Sequence, residues 1–302
     1  MQFGEYDFYC TLKQDAVLPP YKGSTFRGAF GAALKETVCA LKRQDCPQCL
    51  LRPSCLYARV FEIQPAAHNQ RLAAAPHPYV IIPPQSSERH FPAGSSFNFQ
   101  LRLFGQFNES LAFFVYALRA MGDRGIGKGK ARFVLEKVLH QNQILYTSSC
   151  QQLNMPSTLP ELTFAQSEQD TVGIKCRFHT PLRLKYQGRL VRELSFQMLI
   201  RASLRRMSGL LNHYGQGEPD WDYRRMIQNA AAVMAQTNTL HWHDWQRYSN
   251  RQQDSMQFGG LLGAISFPDV PGEYLAPLQF CSQVNLGKQT SFGLGRFTLE
   301  WL

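Results

Sequence analysis

A hydrophobic pattern that occurs twice constrains this chain more than any other feature. Residues 2–12 alternate as a strand does, and Phe26, Phe30, Ala33, Leu34 and Val38 then recur at helical spacing behind Ser24, a candidate N-cap. Tyr79–Ile82 and Phe97–Leu103 read as strands, Leu111–Met121 as a helix stopped by Gly122, and Ala131–Leu139 as a strand. The order then returns. Val172–Phe178 reads as a strand, Glu193–Tyr214 as a long helix, and Tyr223–Ala235 as a further helix. The strands Thr239–Trp245 and Phe258–Phe267, a helix near Tyr274–Val284 and a closing strand, Arg296–Leu302, follow. Each half also places glycines between its last helix and last strand, in Gly122–Lys130 and Gly287–Arg296. Two βαββαβ runs predict an α+β chain of two tandem ferredoxin-like, RRM-like domains, 1–147 and 171–302. The polar stretch 148–170, with Pro156 and Pro160, reads as the linker between them.

Composition narrows the partners. Of 302 residues 44% are hydrophobic and 18% charged, the balance of a folded chain rather than a disordered one. No apolar run reaches the ~20 residues of a membrane helix, and the start MQFGEYDFYC lacks the basic and apolar parts of a secretory signal. The expected location is the cytoplasm, with no membrane partner. Lys and Arg number 32 against 22 Asp and Glu, a net charge of +10 that suits a polyanion, nucleic acid first.

The charge is concentrated. Residues 175–206 hold nine basic residues and a single acid, Glu193, and Arg201 and Arg205 share a helix face with Arg206 beside them. Arg247 and Arg251 flank Tyr248, a pairing of guanidinium and aromatic surface that suits single-stranded or looped RNA. The two glycine loops mix glycine with Lys128 and Lys130 in the first, and with Lys288, Phe292 and Arg296 in the second. Such loops can offer backbone N–H groups to phosphates at positions like Gly293 and Gly295. Neither loop fits a nucleotide fingerprint, since GxxxxGK[ST] is absent and the glycines precede a last strand.

A second local signal is Cys39-x6-Cys46-x2-Cys49-x5-Cys55, four of the eight cysteines within seventeen residues. In a reducing compartment this spacing favours a metal site over disulfides. Zinc sites usually bring two CxxC pairs, and this loop has one. Arg43, Arg52 and Arg59 flank it, while Cys10, Cys150, Cys176 and Cys281 are scattered and read as small core residues.

Gly287 followed by Thr290–Phe297 resembles the carboxy-terminal glycine-rich loop of the CRISPR-associated RAMP proteins, in particular the endoribonucleases that cut CRISPR repeat RNA into guides. The resemblance extends through Tyr248–Gln252, Gly259–Gly263 and Thr180–Lys185, and is strongest over residues 172–302. It implies two tandem ferredoxin-like domains and a role in antiviral defence. It also implies binding of CRISPR repeat RNA or crRNA, and cleavage without a catalytic metal to 2′,3′-cyclic phosphate and 5′-hydroxyl ends. Other CRISPR effector subunits are implied partners. Members commonly carry a histidine between the first strand and first helix, whereas residues 13–50 here hold none, and Tyr21 and Lys22 stand there with Arg27 one turn into the helix. The expected catalytic residues are therefore His213, Tyr21 and Lys22, and Arg27 joins the expected RNA contacts. His179, His241 and His243 are further histidines weighed for the same role. A non-catalytic RAMP subunit holding guide RNA is the alternative. The cysteine spacing is similar to the loop of helix-hairpin-helix DNA glycosylases, which implies a structural [4Fe–4S] cluster on Cys39, Cys46, Cys49 and Cys55, with zinc as the alternative. A redox or DNA-repair protein rests on that loop alone.

Overall fold

The computed structural model describes residues 1–42, 45–63, 75–163, 171–244, 246–249, 254–257 and 259–302. They form two units, Met1–Glu161 and Leu162–Leu302.

The first unit runs β1 (Phe3–Leu12), β2 (Ala16–Val17), α1 (Gly23–Val38), α2 (Leu56–Phe61), β3 (Tyr79–Ile82), β4 (His90–Phe91), β5 (Ser96–Phe104), α3 (Leu111–Arg124), β6 (Phe133–His140) and β7 (Gln143–Thr147). Its antiparallel sheet has the order β3-β5-β1-β6-β7, the ferredoxin-like arrangement with β7 added at one edge. Alternation on β1 buries Tyr6, Phe8, Cys10 and Leu12, and the apolar face of α1 covers that side with Phe26, Phe30 and Leu34. Phe30 and Phe114 of α3 meet at 6.0 Å between ring centroids.

The second unit repeats the plan. It runs β8 (Thr171–Leu182), β9 (Lys185–Tyr186), β10 (Arg189–Leu190), α4 (Phe196–Tyr214), α5 (Tyr223–Asn229), β11 (Thr237–Asn238), β12 (His241–His243), β13 (Gln246–Ser249), β14 (Asp254–Gln257), β15 (Gly260–Pro271), α6 (Leu275–Val284) and β16 (Phe297–Trp301). Its sheet order β11-β15-β8-β16, with β12 also paired to β15, matches the core order of the first unit. Helix α4 starts where Ser195 Oγ accepts from the Met198 N–H at 3.3 Å, and buries Phe196, Leu199, Ile200, Leu204 and Met207.

Some expectations are corrected. Ser24 does not cap α1: the helix begins at Gly23, so Ser24 lies inside the first turn and its buried hydroxyl finds no partner. Gly122 does not stop α3, which continues to Arg124 and ends at Gly125, whose φ of 81° only glycine adopts readily. The predicted helix Tyr223–Ala235 ends at Asn229, where the Tyr274 hydroxyl donates to the Met226 carbonyl at 2.9 Å. Of the predicted strand Thr239–Trp245 only His241–His243 (β12) is strand, parted from β11 before it where the Leu240 N–H turns to the Asn238 side chain at 3.0 Å, and Trp245 lies outside the described residues. Residues 148–161 pack with the first unit, through the Tyr146–Leu153 and Gln2–Glu161 bridges. Cys10, Cys176 and Cys281 are buried as expected, whereas Cys150 is exposed and takes no part in a core. Among the described residues no helix is long and apolar enough to cross a membrane.

Candidate nucleic-acid interface

In the second unit the glycine loop between α6 and β16 is folded into the interior. Gly293 and Gly295 are buried, the Gly293 N–H donates to Thr290 O at 2.8 Å, and the Gly295 N–H donates to Pro181 O at 3.0 Å. Thr180 ties the loop down, its hydroxyl donating to Gly293 O at 2.8 Å and accepting from the Arg296 N–H at 2.9 Å. At Gly295, with φ of 69°, an added Cβ would stand 1.7 Å from Leu286 O. The expectation that these two glycines bare N–H groups to phosphates is therefore corrected: the groups are used within the unit, and the glycines let two backbones touch.

What the loop presents is charge. The exposed Lys288, its N–H donating to Arg183 O at 2.8 Å, lies within a group formed with Arg183, Lys185 and Arg205. Burial and these three cations hold its ammonium below the ordinary lysine range, in the order burial, Lys185, Arg205, Arg183. The sequence separates these residues by about a hundred positions. The fold brings β8, α4 and the glycine loop to one place. Four cations this close repel one another and attract a polyanion, with Asp244 offsetting part of the charge at Arg183. Beside them Arg201 stands over the Tyr186 ring at 5.5 Å and Arg192 over Trp242 at 4.5 Å, flat surfaces on which a base can stack.

Arg206 is a correction. Its guanidinium donates to Val284 O at 2.8 Å and Asn285 O at 3.2 Å, tying α4 to the end of α6, and burial lowers its pKa to about 10. It serves the fold, and the exposed face of α4 is left to Arg201 and Arg205. Phe292 and Arg296 are half-buried on the loop. Arg247 lies on the β13–β14 hairpin, opposite Met256, and Arg251 falls outside the described residues. In the first unit Lys128 and Lys130 are exposed at the tip of a tight turn closed by Ile126 and Ala131.

Of the expected catalytic residues, Lys22 is the clearest correction. It is fully buried, its ammonium donating to the carbonyls of Ser86 at 2.5 Å, Glu88 at 2.9 Å and Pro20 at 3.3 Å, with Phe91 beneath it. This lysine pins the β1–α1 connection to the 83–91 loop, and burial lowers its pKa. Tyr21 is half-buried, and burial pushes its phenol far above the ordinary value, away from base chemistry. His213 donates from Nδ1 to Gly209 O at 2.8 Å, closing the last turn of α4. His179 faces Thr298 at 3.0 Å, and burial together with Arg296 and Arg177 lowers its pKa.

A residue the sequence pattern did not single out is His77, two residues before β3. Its Nδ1 meets Val60 O at 2.9 Å, which requires the proton on Nδ1 and leaves Nε2 as the basic nitrogen. That Nε2 lies 3.4 Å from the Arg27 guanidinium, which is held over the Phe61 ring at 5.1 Å. A basic imidazole nitrogen beside a guanidinium thus stands at the first turn of α1, where the chain has no histidine of its own. The only sequence signal was a histidine next to a strand start.

The four loop cysteines are all partly accessible. As placed, no group of three or more His, Cys, Asp or Glu among the described residues forms a ligand set for a metal ion.

Residues 1–158 match the family model AF_1859_N, described as an N-terminal domain, and residues 176–297 match the model described as CRISPR-associated endoribonuclease Cas6. A protein of Archaeoglobus fulgidus described as uncharacterized is 22% identical over 295 residues, covering 94% of this chain and 93% of that one. The Thermus thermophilus Cas6 product complex superposes with a TM-score of 0.60 at 14% identity, over 100% of this chain and 99% of that one. A chain of a partial Cas6-RT-Cas1–Cas2 complex gives a TM-score of 0.58 at 14% identity over 100% of this chain, which spans 46% of that chain's length. These likenesses show a shared fold. The glycosylase resemblance of the cysteine loop finds no support in them.

Proposed function

We propose that this chain, which belongs to the AF_1859_N family by the match over its first 158 residues and carries a Cas6-type domain over residues 176–297, binds CRISPR repeat RNA and cleaves it into guides. The observation that carries the reading is the convergence of Arg183, Lys185, Arg205 and Lys288 at the glycine loop of that domain. Each cation neutralised by a phosphate releases counterions, so RNA relieves a repulsion that the folded protein otherwise bears. Arg201 on Tyr186 and Arg192 on Trp242 add stacking surface.

Cleavage needs a base for the 2′-hydroxyl proton and a cation for the charge that develops on the phosphorus oxygens. In this reading the 2′-hydroxyl displaces the Arg27 N–H from His77 Nε2 and gives that nitrogen its proton, the 2′-oxygen attacks the adjacent phosphorus, and the 5′-oxygen leaves, taking a proton from water. The products are a 2′,3′-cyclic phosphate and a 5′-hydroxyl. Arg27 supplies the cation, and the Val60 carbonyl holds the His77 tautomer. No step requires a catalytic metal. Other CRISPR proteins are partners in the same reading.

Incubation of the purified chain with repeat RNA in EDTA tests it. The expected result is cleavage to cyclic-phosphate ends that falls ~10²–10⁴-fold in His77→Ala while binding is kept. Tight binding without cleavage would reduce the chain to a subunit that holds guide RNA; neither binding nor cleavage would overturn the reading.

A further inference from the structure

The face of the second sheet that the helices leave open carries charge of its own. Alternation on β8 turns Ile174, Cys176 and Phe178 into the core and leaves Lys175, Arg177 and His179 on the opposite face. Register sets their neighbours on β16, where Glu300 stands opposite Lys175 and Thr298 opposite Arg177. On β15 the partners are the small, uncharged Ser266 and Ala264.

Arg177 donates to both carboxylate oxygens of Glu300, at 2.7 and 3.4 Å, and His179 lies 3.0 Å from the Thr298 hydroxyl. Burial, Arg296 and Arg177 hold the His179 imidazole below its ordinary range, with Glu300 opposing them, so at neutral pH the ring is uncharged. Lys175, Arg177 and Arg296 then outnumber the Glu300 carboxylate, and the face is left positive.

A guanidinium turned with two N–H groups toward two oxygens is the geometry in which arginine takes a phosphate. Glu300 therefore stands where an oxyanion would. The Arg177 hydrogen bond lowers its carboxyl pKa against the effect of burial, and the charges of Arg177, Lys175 and His179 add to that. The pair is open to solvent, its side chains 45% and 40% exposed, and ion pairs so exposed separate easily. Alternate residues of a strand lie ~6.8 Å apart, close to the step between successive phosphates of a stretched single strand. Cations rather than stacking rings fill the central strand, so what this face can hold is RNA backbone, whatever its sequence.

We propose that this face is a second RNA track, which takes the phosphates of an unpaired strand along β8, and that Glu300 fills one phosphate position on Arg177 until RNA displaces it. The proposal rests on the RNA reading for the identity of the polyanion, and uses residues other than the cations gathered at the glycine loop.

Fluorescence anisotropy of the full chain with a labelled oligouridylate of about ten nucleotides, which cannot pair, tests it. Glu300→Gln should tighten binding about 2–5-fold, because RNA no longer has to open the ion pair. Arg177→Gln should weaken it a few-fold and make the salt dependence shallower by about 0.7 unit of log K per log salt. Lys175→Gln, which leaves the pair intact, should weaken binding likewise. In the double variant the gain from Glu300→Gln should largely vanish, since the carboxylate acts through Arg177. The full gain in both backgrounds would mark a diffuse charge effect and overturn the proposal. Unchanged oligouridylate binding in Arg177→Gln and Lys175→Gln, with repeat RNA still bound and cut, would overturn the track and leave the RNA reading standing. A wild-type chain that binds neither RNA overturns both. Displacement of the oligouridylate by oligoglutamate at equal concentration would assign the face to an acidic protein segment instead.

Discussion

The two glycine loops occupy the same topological position, between the last helix and the last strand of a βαββαβ unit, and the fold uses them in opposite ways. In the first unit the tip Lys128-Gly129-Lys130 faces solvent. In the second, Gly293 and Gly295 lie in the interior, while the neighbouring Lys288 is exposed. A glycine-rich stretch is therefore not one device. At the first loop it carries charge outward on a short turn; at the second it removes side chains so that two stretches of backbone can touch, and the charge comes from residues around it.

The strongest way to break this contrast is to add one methyl group to each loop. Gly295→Ala places a carbon against Leu286 O at a positive φ, and should cost about 3 kcal/mol or more, seen as loss of the second unit's cooperative unfolding in denaturant. Gly129→Ala meets nothing within 4 Å and should change stability by no more than about 0.5 kcal/mol. Equal effects at both sites would sink the comparison.

The next effect sharpens it. Lys288→Gln should make the salt dependence of RNA binding shallower by about one unit of log K per log salt, with a loss of a few-fold in affinity at low salt. Lys128→Gln, from a loop without the converging cations, should change the slope less. The same Lys288→Gln change should raise the melting temperature slightly, because it removes a charge that Lys185, Arg205 and Arg183 repel.

The pH dependence carries the same sign. A lysine with a lowered folded-state pKa binds fewer protons folded than unfolded between its lowered value and the ordinary value near ~10.4. Stability from this group therefore rises with pH across that window, while RNA affinity falls. Titrating both in Lys288→Gln should remove the opposed trends, and their persistence would assign them to other groups.

The smallest effect concerns the first loop's own strain. Lys130 adopts φ of 48°, so Lys130→Gly should stabilise the unit by about 0.5–1 kcal/mol in chemical denaturation, with the loss of one exposed cation.

Much of the fold was legible because period-two and helical patterns are local: β1, α1, α4 and β8 fall close to where the alternation of Tyr6, Phe8 and Cys10, or the recurrence of Phe196, Ile200 and Met207, puts them. Ends were less legible. Ser24 and Gly122 are good terminators by residue type, yet the backbone enters and leaves each helix one to three residues away. At the site, residue type alone misled. Arg206 and Lys22 are cations of the kind that bind phosphates, and both turn inward to carbonyls that lie far away in sequence.

By itself the sequence determined two tandem ferredoxin-like units, an excess of positive charge concentrated in the second, and four cysteines within seventeen residues of the first. These follow from periodicity, counting and short-range spacing, which need no knowledge of distant contacts. Only the tertiary structure decided which cations face outward together, that the Gly293 and Gly295 N–H groups are used internally, and that His77 meets Arg27 across fifty residues. Each of those depends on which carbonyl, ring or neighbouring charge the fold brings within a few ångströms, and that information lies between positions rather than at them.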